Sequence, residues 1–94
     1  MGSNSMDGIR VERLTEEEVK KRGIASWGVW EKEPSEFEWE YTSEEHCYII
    51  EGNVTVSTVD GDIEIGQGDY VVFPVGLKCR WNVKEAVKKY YDFK

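Results

Sequence analysis

The stretch GDYVVFPVGLKCRW, residues 68–81, decides how this chain is read. Gly68 and Asp69 mark a turn, the apolar run 70–73 reads as a strand, and Pro74 with Gly76 marks a second turn. Cys79 stands three residues past Gly76, and Trp81 and Val83 share its face of the following strand. Working outward, Gly66 to Asp69 form one turn. Asp60-Gly61 reads as a tight hairpin turn between VTVSTV and DIEI. Short strands with turns at such spacing fit an antiparallel sandwich or small barrel. One helix is expected ahead of them, over TEEEVKKRG, residues 15–23. Thr15 and Glu18 make a capping box, acids fill the first turn, bases the last, and Gly23 supplies a left-handed stop. That acidic run complements the helix dipole and is not counted as a binding site.

At 94 residues the chain is expected to be one domain, residues 6–94, with MGSNS (1–5) an expression remnant. Four Trp, five Tyr and three Phe make its core, or an interface, rich in aromatic area. A net charge of −7 argues against nucleic acid and anionic membranes, whose phosphates would be repelled. No apolar run approaches the ~18 residues of a spanning helix, and nothing resembles a signal peptide. Two cysteines without secretory context read as reduced thiols in a cytoplasmic protein.

The 68–81 spacing, G-x5-P-x-G-x2 followed by a ligand, resembles the second signature motif of the cupins, in which the ligand is a histidine. The upstream half agrees. Cupins place a His-x-His pair, a Glu five residues later and a Gly seven beyond. Counting back from Gly52 in CYIIEG puts Glu45 at the glutamate position and Glu38 and Glu40 at the histidine positions. The similarity runs over residues 24–93 and is closest to short cupins related to ureidoglycine aminohydrolase and the ethanolamine-utilisation cupins. It rests on Trp27 with Trp30, the CYIIEG strand, the 68–81 motif, and Lys89 with Tyr91. The resemblance implies an all-β jelly roll (double-stranded β-helix) with the four ligand positions read as Glu38, Glu40, Glu45 and Cys79. His46, the chain's one histidine, is off the pattern by one residue and belongs on the opposite face.

If Glu45 points inward as its cupin counterpart does, Cys47 does too, and Cys79 and Trp81 enter the same hollow from a neighbouring strand. This gives Glu45 and Cys79 as candidate catalytic residues, with Glu38, Glu40, Cys47 and Trp81 as ligand-binding residues. A second reading of FEWEY, residues 37–41, follows simple alternation: the aromatics face a core and Glu38 and Glu40 face water. No cofactor is expected, with a divalent metal as the alternative, because carboxylates suit hard cations and a thiolate softer ones. Without a cation, clustered carboxylates repel, and one should hold a proton. Cys79 is either a nucleophile or an inert packing residue. Lys78 and Arg80 flank it on the other face, and nearby acids quiet a thiol. A reversible Cys47–Cys79 disulfide is a further option, and the cavity position of Lys89 or Tyr90 is left open.

Three functions stay open on the sequence. The first is a small-molecule-binding cupin with a carboxylate–thiol pocket. The second is an enzyme acting on a small nitrogenous metabolite, with Glu45 as general acid or base. The third is a structural or protein-interaction module. Residues 46–50 are apolar on both strand faces, which an antiparallel strand with one wet face would not be. That pattern leads us to expect a homodimer.

Overall fold

The structure, a computed structural model, describes residues 8–94; the expected remnant at 1–5 lies outside the described residues. The fold hangs on two long strands that run side by side and antiparallel, β4 (Glu45–Thr58) and β7 (Lys78–Phe93). Each carries short strands on its other edge. β5 (Gly61–Gly66) and β6 (Asp69–Phe73) pair with β4. β2 (Gly28–Lys32) and β3 (Ser35–Glu40) pair with β7, and β1 (Arg10–Arg13) extends the sheet beyond β6. Every pairing is antiparallel, and the rolled sheet is the expected all-β jelly roll. Among the described residues no helix is long and apolar enough to cross a membrane.

The inner face is sealed by a connected aromatic and aliphatic core. Tyr41 stacks on Phe73 with ring centroids 4.7 Å apart, and Phe37 stacks on Trp81 at 6.1 Å. Val54, Val56, Ile65, Val71 and Val83 pack against them. The outer face is not bare. Leu14, just ahead of the helix, packs with Val19 of helix α1 (Glu16–Lys21) and Ile24 of a 3₁₀ turn (Ile24–Ser26) over Tyr48, Tyr70, Tyr90 and Trp27. The helix is capped as expected. Thr15 Oγ1 accepts from the Glu18 N–H at 3.2 Å, Glu18 Oε1 accepts from the Thr15 N–H at 3.0 Å, and Gly23 takes φ +70°. At Tyr48 the second apolar face of β4 is therefore covered by the chain's own N-terminal segment. For Tyr48, then, the apolar pattern that suggested a homodimer is met within the chain.

One turn differs by a residue. The β4–β5 hairpin turns on Val59 and Asp60, with Thr58 paired to Gly61, in place of the expected Asp60-Gly61. Thr58 Oγ1 accepts from the Asp60 N–H and donates to the Gly61 carbonyl, both at 3.1 Å, and so fixes the earlier turn.

Gly52 has a physical reason to be glycine. It lies where β4 is bulged against β7 and adopts φ +106°. A Cβ there would fall onto the Ala86 carbonyl oxygen and within 2.6 Å of Val87 Cα. Gly76 also has positive φ, +87°, but open space around it. Gly52→Ala should therefore cost about 2–4 kcal/mol, from strain plus overpacking, and lower Tm by roughly 10 °C or more. Gly76→Ala should cost only about 1 kcal/mol. Equal losses in thermal melts would contradict the close-approach argument.

Candidate functional site

Residues directly opposite in antiparallel strands share a face, so the register assembles the site. Glu45 lies opposite Phe73 and Phe93, Cys47 opposite Tyr91, and Ile49 opposite Lys89. Lys89 in turn faces Trp30 on β2, while Trp81 faces Phe37 and Cys79 faces Trp39 on β3. All these side chains project into one hollow or its immediate wall. The open part is a cavity of about 210 Å³. Glu45, Lys89 and Tyr41 supply its polar groups; Trp30, Trp81 and Phe37 form one wall, and Trp39, Tyr91 and Phe93 the remainder. Trp39 and Phe93 are each about half exposed (49% and 52%), which places them at the mouth.

At the floor, Lys89 Nζ donates to Glu45 Oε2 at 2.7 Å, with side chains only 7% and 5% exposed. The same ammonium lies 4.8 Å from the Trp30 ring centroid and 4.7 Å from that of Trp81. Trp30 and Trp81 meet edge to face at 5.9 Å, so the cation sits between two indole faces. Burying two charges costs several kcal/mol of desolvation per ion, which such a pair repays only with good geometry. Here the carboxylate and both rings supply that geometry.

Lys89 was not placed by sequence reasoning, although a signal existed. Along β7 every second residue from Cys79 through Trp81 and Val83 to Val87, Lys89 and Tyr91 keeps one parity, and all but Glu85 of that set are apolar or in the cavity. The neighbouring charges of KEAVKK disguised the pattern.

Glu45 and Trp81 occupy the cavity as expected. Glu38 and Glu40 do not. Glu38 is bonded to Arg80 at 3.0 Å on the outer face, with Glu36 beside it, and Glu40 is exposed. Inward alternation of Phe37, Trp39 and Tyr41 sets the register of β3, and the two acids face solvent as the alternation reading had it. Cys47 and Cys79 are buried free thiols that back the wall without lining the open space. Burial pushes the Cys47 thiol up to about 12, with Lys89 lowering it and Glu45 raising it. Burial likewise pushes Cys79 up to about 11, offset in part by the Trp81 indole N–H and Lys89. Both therefore hold their protons at neutral pH, and neither is an activated nucleophile. Burial, followed by the charge on Glu45, also raises the Tyr41 phenol, which stays protonated. His46 is on the opposite face, as its parity required, where Nδ1 meets Tyr70 Oη and Nε2 meets Glu44, each at 2.6 Å.

The sequence model of the EutQ-like cupin domain matches residues 19–91. The chain belongs to that family. Among solved structures it is similar to a DUF861 family protein from Thermotoga maritima, 47% identical, covering 92% of this chain and 99% of that one with a TM-score of 0.87. A DUF861 protein from Pseudomonas syringae is 24% identical with a TM-score of 0.65; the match covers 92% of this chain but only 31% of that one. The EutQ protein of Clostridium difficile is 17% identical over 90% of this chain and 66% of that one, with a TM-score of 0.65. These last two share the fold alone. Comparison with curated proteins finds no match.

Metal-holding cupins carry three histidines and a glutamate, and this EutQ-like cupin does not supply a comparable set. Of its four corresponding positions, Glu38 and Glu40 are outside, Cys79 is a protonated thiol, and Glu45 is bonded to a lysine. Among the described residues no three His, Cys, Asp or Glu side chains converge in a metal-holding group. The donors do not fit a metal ion; an ammonium group stands beside Glu45, the acid at the motif's glutamate position.

Removing either partner of the floor pair leaves a buried charge uncompensated. Lys89→Met should destabilise the fold by about 3–5 kcal/mol, and Glu45→Gln combined with it should recover a large part of that loss. Additive losses in a double-mutant cycle from urea denaturation would show that the two do not interact.

The thiols predict an alkaline limb. An unfolded thiol ionises near 9.0, whereas folded Cys47 ionises near 12. Below pH 9 both states keep the proton and the full stability is present. Above it the unfolded chain releases a proton that the folded chain retains, so stability falls as pH rises, by about 1.4 kcal/mol per pH unit for Cys47. Cys47→Ala should flatten this limb, and an unchanged slope would contradict the burial.

Proposed function

We propose that the protein is a small-molecule-binding cupin whose site is the aromatic cavity over the Glu45–Lys89 pair. The observation that carries this reading is a buried, compensated ion pair at the floor of an open cavity of about 210 Å³. A few convergent polar groups in an apolar hollow are the usual composition of a ligand site. The volume is below the ~300–1,000 Å³ typical of drug-sized ligands, so the occupant is a small metabolite. Recognition is favoured over catalysis on a nitrogenous substrate because Cys79, the nucleophile the sequence offered, holds its proton. The net charge of −7 supports a small-molecule partner over nucleic acid or an anionic membrane.

A thermal-shift screen across ureides, amines, sugars and small alcohols tests the reading. A ligand at ~100 times its Kd adds about 2.7 kcal/mol, or roughly 10 °C or more in Tm. Glu45→Ala and Tyr91→Ala should abolish that shift, and Glu64→Ala, on the surface beside Lys84, should retain it. Hits that survive both cavity substitutions would place binding elsewhere.

A further inference from the structure

We infer that the cavity selects a neutral ring compound that donates a hydrogen bond, and rejects cations and anions alike. This deepens the binding reading above and rests on it.

The floor is electrically balanced. Among the described residues the Glu45 carboxylate takes one hydrogen bond, on Oε2 from Lys89, and Oε1 takes none. Among the described residues, the buried side-chain polar atoms without a well-formed hydrogen bond are Thr55 Oγ1 and Trp81 Nε1, the latter only loosely aimed at Cys79. Glu45 Oε1 is not one of them, so this unbonded oxygen opens onto the cavity that Glu45 lines. It is an acceptor waiting for an O–H or N–H.

Aromatic walls with a carboxylate ordinarily favour an organic cation. Here that role is already filled. The Lys89 ammonium occupies the faces of Trp30 and Trp81 at 4.8 and 4.7 Å and the nearer carboxylate oxygen at 2.7 Å. A second cation reaching Oε1 would stand close to Lys89, and an anion reaching Lys89 would stand close to Glu45. Beside a pair whose side chains are almost fully buried, either repulsion is strong. The Tyr41 phenol adds no charge, since burial keeps it protonated. What remains for the ligand body is flat aromatic surface on Trp39, Tyr91 and Phe93, which suits the face of a ring.

A matched probe set of benzyl alcohol, benzamide, benzylammonium, benzoate and toluene varies charge and donor on one ring. Binding to the full chain is read by isothermal titration calorimetry and by quenching of the cavity tryptophans. Benzyl alcohol and benzamide should bind, with the two ions and toluene weaker by about tenfold or more. Unbalancing the floor should move the preference: Glu45→Gln toward benzoate, Lys89→Met toward benzylammonium. If a variant does not fold by circular dichroism, the wild-type ranking alone decides. A charged probe binding the wild type as tightly as the alcohol would overturn the class while leaving the pocket in place. Toluene matching the alcohol would overturn the role of Oε1. If no probe binds while the thermal-shift screen gives a hit that Tyr91→Ala removes, the ring class falls and the pocket stands; if neither gives a hit, the pocket reading itself falls.

Discussion

A single buried contact, Lys89 Nζ to Glu45 Oε2, organises the inside of this protein. Its two partners come from the two longest strands, so the pair ties the spine of the sheet together at the bottom of the hollow. Two charges in that place are tolerable only because each compensates the other and because Trp30 and Trp81 present their faces to the cation. The consequences spread outward. Lys89 and Glu45 act in opposite directions on the Cys47 and Cys79 thiols, which burial holds in the protonated form. The indole rings that cage the ammonium are also cavity wall and aromatic core, through Phe37 and Phe73.

The donor set differs from the three histidines and one glutamate of metal-holding cupins, without changing the fold. The positive charge beside Glu45 comes from a side chain. A lysine ammonium cannot present open coordination positions as a metal does, and it has hydrogen-bond donors in place of Lewis acidity. One architecture hosts many chemistries, so resemblance of shell says little about what is bound. The site chemistry has to be read from these residues.

Much of the shell was legible because it follows from steric rules. The capping box at Thr15 and Glu18 announced the helix, and the Gly52 spacing located Glu45 correctly because the bulge beside Val87 admits no Cβ. Parity separated His46 from Glu45. The floor was harder. Glu38 and Glu40 satisfied a motif register, but burying Phe37 and Tyr41 outweighs placing two unpaired acids in a core, and Arg80 pairs with Glu38 outside. Lys89 looked like part of a solvated charge run. Its burial depends on a carboxylate 44 positions earlier and on two tryptophans from separate strands, a conjunction that no local pattern reports. The outer face of β4 is partly covered from a distance too, since what packs on Tyr48 arrives from the N-terminal helix segment.

The central claim is that the cation at the floor is a lysine ammonium held between indole rings. Nuclear magnetic resonance of the lysine side chains in uniformly ¹⁵N-labelled protein tests it directly. The account predicts one ammonium signal that exchanges slowly with water and is displaced upfield by ring currents, assigned to Lys89. If every lysine ammonium exchanges and resonates like free lysine, Lys89 is not in that cage and the account fails.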